Sequence, residues 1–478
     1  MRVLFNSHIR LQRRSPIAVL VSLALLSGCA SFSADGGMND VAALTKDRTG
    51  QIAQRTSTDQ ERLQKDKTVR DLLSRPLTAD SAVHIALINN PGLQAKLSAL
   101  GIAESDLVQA GRMRNPGFSF GRLSGGGDVE IERSVTFDLI GLLTIPLRSG
   151  IEKGRFEQAK LQAAMDVVAL VSETRRAFFN AVAAQQTAMF MEQARESAEA
   201  GAELALAMRK VGNWNKLDTA REQMFYADAI AQVARSRQSA VSSREHLTRT
   251  LGLLQSDNTF TLPSKLPDLP KTTMEIADLE AQAMQKRLDV QMAKRDAEAT
   301  ASALGLSKAT RFINVIDAGY MNKSETGKSR SNGYEISIEL PLFDWGSAKS
   351  ARAEALYMQS VHRTTDIAVR ARSEVRKSYA AYRNAYDLSA HYRDKLVPLR
   401  KQISEEMLLR YNGMLASVFE LLADARLQIG AVNAAISAQR DYWIAESDLQ
   451  MAINGSGVAP IAGVASSAMS TSATPAEH

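Results

Sequence analysis

The sharpest pattern along this chain is an alternation over residues 129–139. Val129, Ile131, Val135, Phe137 and Leu139 fall on one side of an extended backbone, interrupted only by Arg133, while Glu130, Glu132, Ser134, Thr136 and Asp138 fall on the other. A period of two is that of a β-strand with two unlike faces. Its length matches a bilayer-spanning strand, which takes about 9 to 11 residues, and the pattern equally fits a half-buried strand of a soluble sheet. A partner strand is predicted over 116–124, joined through Gly125-Gly126-Gly127-Asp128. A second pair is predicted over 312–320 and 334–340, where Tyr334, Ile336, Ile338 and Leu340 alternate with Glu335, Ser337 and Glu339.

Between and after these pairs the period changes to that of helices. Thr78 or Asp80 can cap a helix with Val83, Ile85, Leu87 and Ile88 on its apolar face; Asn90-Pro91 interrupts it, and Leu93, Leu97 and Leu100 carry it on toward Gly111. Pro146 is expected to end the strand region. From Gly150 the chain has no proline until Pro263, and it is rich in Ala, Glu, Gln, Arg and Leu. Val211-Gly212-Asn213 is its one clear break, so two helices are predicted, of roughly 90 Å and 60 Å at 1.5 Å per residue. Alanine recurs densely along the first (Ala177, Ala181, Ala184, Ala188), which would let neighbouring backbones approach on more than one side. The second copy repeats the plan, with a long helix over 347–411 interrupted at Pro398 and a return helix over 415–454.

The landmarks recur at nearly constant offset. Arg287-Leu288-Asp289-Val290 stands 197 residues after Asn90-Pro91-Gly92-Leu93, Leu340-Pro341-Leu342 stands 195 after Ile145-Pro146-Leu147, and Gly413 stands 201 after Gly212. Three independent landmarks in register indicate an internal duplication. The division expected is a first repeat over 76–261, a stiff proline-rich linker over 262–270, a second repeat over 271–454 and a disordered tail over 455–478. Residues 29–75 read as an extended tether lying over a folded surface.

The first residues change the charge balance. Arg2, Arg10, Arg13 and Arg14 precede an apolar run that ends in Leu26-Ser27-Gly28-Cys29, a secretory signal with a lipoprotein cleavage box over 1–28. Cleavage after Gly28 would leave Cys29 as the N-terminus, its thiol carrying diacylglycerol and its amine an acyl chain. Ala30 is compatible with delivery to the outer membrane. The signal's four arginines account for most of the formal charge of +6, leaving +2, too small a surplus for a nucleic-acid surface. Cys29 is the single cysteine, so the body has no disulfide framework, thiolate metal cluster or cysteine nucleophile. The histidines show no metal-ligand spacing, the helical methionines read as core fillers, and Gly327-Lys328-Ser329 lacks the strand-to-helix setting of a phosphate loop.

Four strands do not close a barrel, and an open edge is not tolerated in hydrocarbon. If the strands span a membrane, chains must assemble: two would give eight strands and three twelve. An eight-stranded barrel is filled by its own side chains; only the larger leaves an aqueous pore.

The duplicated layout resembles the TolC-like outer-membrane efflux proteins over about residues 75–455. The resemblance is carried by Ala86-Leu87-Ile88-Asn89-Asn90-Pro91, Ala283-Met284-Gln285-Lys286-Arg287-Leu288-Asp289, Leu340-Pro341-Leu342-Phe343-Asp344-Trp345-Gly346, the turn glycines Gly212 and Gly413, and the Leu-Pro linker. It implies an α+β membrane protein: a homotrimer whose paired transmembrane strands form a twelve-stranded β-barrel, continued by a periplasmic α-helical barrel. It also implies a passive conduit with no enzymatic activity and no cofactor, exporting solutes with a periplasmic adaptor and an inner-membrane pump. The family's adaptor-contacting tips correspond to Val211, Gly212, Asn213, Asn412, Gly413 and Met414. Its entrance acids have their nearest counterparts in Asp218, Glu420 and Asp424, which read equally as solvated helix faces; Phe419 stands where the family's best-known member has an aspartate. A duct for protein secretion, or a periplasm-spanning structural lipoprotein without a pore, would share much of this pattern.

Overall fold

The computed structural model describes residues 31–56, 58–254, 260–273, 278–309, 316–338 and 345–455. Cys29, the motif residues 340–344 and the tail beyond Gly455 lie outside them, as does part of the strand expected over 312–320. The described residues form two compact units: one drawn from 31–37, 98–160 and 295–361, the other from 38–97, 161–294 and 362–455.

The first unit holds an antiparallel sheet of four strands in the order β1 (Gly117–Gly125), β2 (Asp128–Asp138), β3 (Ile316–Glu325) and β4 (Ser331–Ile338). Each predicted hairpin supplies two neighbouring strands, and β2 of the first repeat pairs with β3 of the second. Gly126 and Gly127 take left-handed backbone at φ 62° and 97° in the first hairpin turn, a conformation that glycine adopts without steric cost.

Among the described residues seven helices belong wholly to the second unit: α1 (Met38–Thr49), α2 (Asp59–Leu73), α3 (Ala79–Asn89), α6 (Lys216–Thr250), α7 (Leu279–Lys286), α10 (Val397–Asn412) and α11 (Val418–Asn454). Four contribute residues to both units: α4 (Pro91–Ala110), α5 (Leu139–Lys210), α8 (Leu288–Ala309) and α9 (Ser347–His391). The segment read as an extended tether contains α1 and α2. Its few apolar residues hid the helices: α2 buries only Val69, and local capping supports it, with the Thr58 hydroxyl accepting from the Glu61 N–H and the Glu61 carboxylate accepting from the Thr58 N–H.

Pro146 does not end the strand region. β2 stops at Asp138, whose carboxylate accepts the Gly141 N–H and so starts α5 at Leu139, and Pro146 lies inside that helix. The 72 residues of α5 give roughly 110 Å at 1.5 Å per residue. Pro398 has the effect expected of a proline: a π-helical turn over Tyr392–Leu396 precedes it, absorbing the missing N–H and the clash with the preceding turn.

The core of the second unit gathers Leu77, Ile85, Ile88, Phe178, Phe179, Val182, Leu247, Leu251 and Ile436. The linker is held against it at both ends. Leu262 and Leu266 are buried there, the Leu266 N–H donates to Gln186 at 3.1 Å, and the Pro267 carbonyl accepts from Trp443 at 3.0 Å and Gln439 at 2.8 Å.

The duplication is visible in two corners that solve one problem differently. Asn90, extended because proline follows it, donates its amide to the Thr250 carbonyl at 2.8 Å while its side-chain oxygen accepts the Leu93 N–H at 2.9 Å. At the matching corner Arg287, 1% exposed, donates to the Ala452 carbonyl at 3.1 Å, to both oxygens of Asp289 and to Glu374 at 2.8 Å. Both satisfy the orphan carbonyl end of a returning helix. Burial works against the Arg287 charge, but Asp289 and Glu374 outweigh it and hold the guanidinium above its ordinary pKa.

Candidate functional site

Two features carry the chemistry, one in each unit. In the sheet, the register gathers the strand alternations onto common faces. One row runs Phe118, Val135, Tyr320, Tyr334, and the next runs Phe137, Ala318, Ile336. One row nearer the hairpin turns stand Phe120, Arg133, Asn322 and Asn332. The opposite face aligns Thr136, Gly319 and Glu335 in one row and Gly121, Glu132, Lys323 and Ser331 in another. Lys323 pairs there with Glu130 and, at 3.5 Å, with Glu132.

Among the described residues much of the apolar face is left exposed. Tyr334 is 88% exposed, Phe118 and Ile336 69% each, which is a surface built to meet an apolar medium or another copy. Among the described residues no strand lies beside the outer edges of β1 and β4. Neither edge carries proline within its strand, the usual means of blunting one.

The second feature is the pair of helix-to-helix turns. In the first, Gly212 sits at φ +82°; its N–H donates to Arg209 and that of Asn213 to Met208 at 2.9 Å. This is the paired closure of a helix end around a left-handed glycine. The second turn closes identically but one residue later: Met414 donates to Tyr411 and Leu415 to Arg410 at 2.8 Å. There the left-handed residue is Met414, at φ +60°, while Gly413 has an ordinary φ of −83°. Gly413, grouped with Gly212 as a turn glycine from the sequence, is thus not the left-handed residue of its turn.

Two of the three candidate acids have local roles as helix caps. Asp218 accepts the Asn215 side-chain amide at 2.6 Å, and its own N–H donates to Asn215 at 2.8 Å, so the two cap α6. Glu420 completes a capping box with Ser417 at the start of α11; the Ser417 N–H holds its carboxyl below the usual range. Asp424 is buried, with Oδ2 unpartnered among the described residues.

Sequence reasoning missed the links between the hairpins at this level. Trp214, just after the first turn, stacks on Phe419, just after the second, with ring centroids 4.3 Å apart and planes 9° apart. Further along, Arg426 on α11 donates to the buried Glu222 of α6 at 2.5 Å and lies over the Phe225 ring. The signal was available: both aromatics stand beside the turns, and Phe419 replaces an expected acid. Beyond the turns' own backbone, Val211, Leu217, Met414 and Leu415 are exposed.

A groove of about 290 Å³ between α5, α6 and α11 is lined by Asn180, Thr187, Ser236, Ser239, Asn433 and Arg440. Hydroxyls, amides and one guanidinium hydrate such a surface, and the lining contains no nucleophile and base together.

The whole arrangement matches solved outer-membrane channels in fold. The Campylobacter jejuni CmeC outer membrane channel gives a TM-score of 0.66 at 16% identity, covering 85% of this chain and 89% of that one. The open state of the Neisseria gonorrhoeae MtrE outer membrane channel gives 0.66 at 18%, covering 79% and 89%. CusC, whose structures concern folding and transmembrane channel formation, gives 0.67 at 17%, covering 79% and 92%. No protein-family model and no curated protein matches the sequence.

Proposed function

We propose that this chain is one of three identical subunits of a passive outer-membrane duct, the exit channel of a tripartite efflux system. The observation that carries the reading is the two-faced sheet with both edges open. Each unpaired backbone group in hydrocarbon costs several kcal/mol, so β1 of one copy is expected to pair with β4 of the next. Three copies close a twelve-stranded barrel with the tyrosine, phenylalanine and isoleucine face toward lipid. The face of Thr136, Lys323 and Glu335 then lines an aqueous pore.

The helical hairpins extend this duct into the periplasm, where the turns at 211–213 and 412–414 meet an adaptor and, through it, an inner-membrane pump. Exposed Val211, Met414 and Leu415 support docking of an apolar partner surface at these tips. A diacylglycerol on Cys29 holds each subunit to the membrane as well. The duct moves solute by providing a path, so energy and most of the choice of cargo belong to the partners.

The test is conductance in planar bilayers with the purified full chain, paired with cross-linking of outer-membrane fractions. Stepwise channels from a species of three chains are expected. A chain that fractionates as a soluble monomer, or a membrane-bound trimer that never conducts, would sink the duct.

A further inference from the structure

The two faces of the sheet differ in charge as well as in polarity. The register puts Arg122 and Arg133 on the apolar face, in adjacent rows near the hairpin turns: Arg133 stands opposite Phe120, and Arg122 opposite Ile131. All strand carboxylates, among them Glu130, Glu132 and Glu335, fall on the other face with Lys323. Arg133 donates to Asn322 at 3.2 Å and lies 6.0 Å from the Phe120 ring centre. Both partners are neutral. Arg122 is exposed and has no ion pair among the described residues.

Diagonal neighbours on paired antiparallel strands lie about 7 to 8 Å apart, and like charges placed so close are unfavourable. The cost rises at the border of an apolar surface, where less water is available to solvate them. A neighbouring copy would not relieve it. The strand that would add to the β1 edge is β4, whose residues on this face are Asn332, Tyr334, Ile336 and Ile338, none of them acidic. From the protein side the two guanidiniums are therefore uncompensated, and they sit where the apolar rows end.

We propose that Arg122 and Arg133 form a clamp for the phosphate of a membrane-lipid headgroup, in the leaflet that surrounds the hairpin-turn end of the sheet. A phosphate between two diagonal guanidiniums takes charge-assisted bonds from both, in the forked geometry that arginine supplies. The acyl chains of the same lipid then run along the rows of Phe120, Phe118 and Tyr334. Asn322 orients Arg133, and Phe120 flanks it. The inference rests on the reading of this face as lipid-facing. It adds a preference for anionic lipid that the barrel alone does not require.

The test uses the full chain reconstituted into vesicles of phosphatidylcholine, or of phosphatidylcholine and phosphatidylglycerol in equal parts, with bound lipid counted by native mass spectrometry. Wild-type protein is expected to retain phosphatidylglycerol preferentially. The double variant Arg122→Gln, Arg133→Gln should lose about tenfold in that preference, the equivalent of about one charge-assisted bond, whereas Arg122→Lys, Arg133→Lys, which keeps the charges and loses the forks, should fall between the two. Equal retention of both lipids by wild type, or an undiminished preference in the glutamine variant, would overturn the clamp while leaving the duct intact. If inorganic phosphate added to the mixed vesicles displaces no phosphatidylglycerol, the lipid headgroup is the ligand; if it displaces phosphatidylglycerol, the site is a general anion site and the proposal fails. Should the glutamine variant not assemble, Arg122→Gln alone answers the same question. A chain that never enters vesicles refutes the clamp and the duct together.

Discussion

At the scale of single residues, the two turns look alike in sequence and differ in what they demand of the backbone. A side chain at Gly212 would be forced into the left-handed region, which costs roughly 1 to 2 kcal/mol for most residues. At Gly413 φ is ordinary, and an added Cβ would come no closer than 3.5 Å to the Leu409 carbonyl. Gly212→Ala should lower stability by about that amount, and Gly413→Ala should change it by less than about 0.5 kcal/mol. Equal losses in denaturant midpoints would refute the difference. Titration offers a second residue-scale outcome. Burial raises the Glu446 carboxyl above its ordinary range, against the pull of Arg175. Between the ordinary value and the raised one the folded state holds more protons than the unfolded, so stability falls as pH rises through that window. Glu446→Gln is expected to raise the Tm at neutral pH and to do little in acid; an identical shift at both would show that charge is not the cause.

Among elements, the links between hairpins set how far the return helices can move independently. The Trp214–Phe419 stack joins the region after one turn to the region after the other, and such pairs contribute about 0.5 to 1.5 kcal/mol beyond burial. A double-mutant cycle of Trp214→Ala and Phe419→Ala should return a coupling of that size; additive losses would mean the rings act separately. The strands and the long helices were legible because their periods are unlike and extend over many residues. The start of α5 was not, because a single Asp138 carboxylate outweighs the proline eight positions on as a boundary signal. The helices α1 and α2 were illegible for a different reason. Their few buried apolar residues, Val41 in α1 and Val69 in α2, are too sparse to show a period, and their segment also makes polar contacts to distant residues, such as Ser33 to Glu104 and Arg48 to the Lys286 carbonyl at 2.9 Å. No local pattern encodes a partner so far along the chain. The shifted second turn was hidden as well, since a left-handed methionine cannot be read from composition.

For the whole molecule, duplication gives two repeats that fold alike and are not interchangeable. Arg287 holds its corner by charge where Asn90 uses neutral bonds. Arg287→Met should cost about 3 to 5 kcal/mol, because it leaves Asp289 and Glu374 without their buried partner. Asn90→Ala should cost about 1 to 3 kcal/mol; denaturant unfolding of both would sink the distinction if the losses matched. The open edges of β1 and β4 bear on the history of each molecule as much as on its final form. In the three-chain duct proposed above, a lone chain entering a bilayer would strand two rows of backbone amides in hydrocarbon, so insertion by one subunit at a time would face a barrier that three meeting together avoid. On that proposal the rate of appearance in membranes should climb more steeply than the first power of chain concentration, and cells making too little of this protein would accumulate unfinished subunits instead of proportionally fewer assemblies.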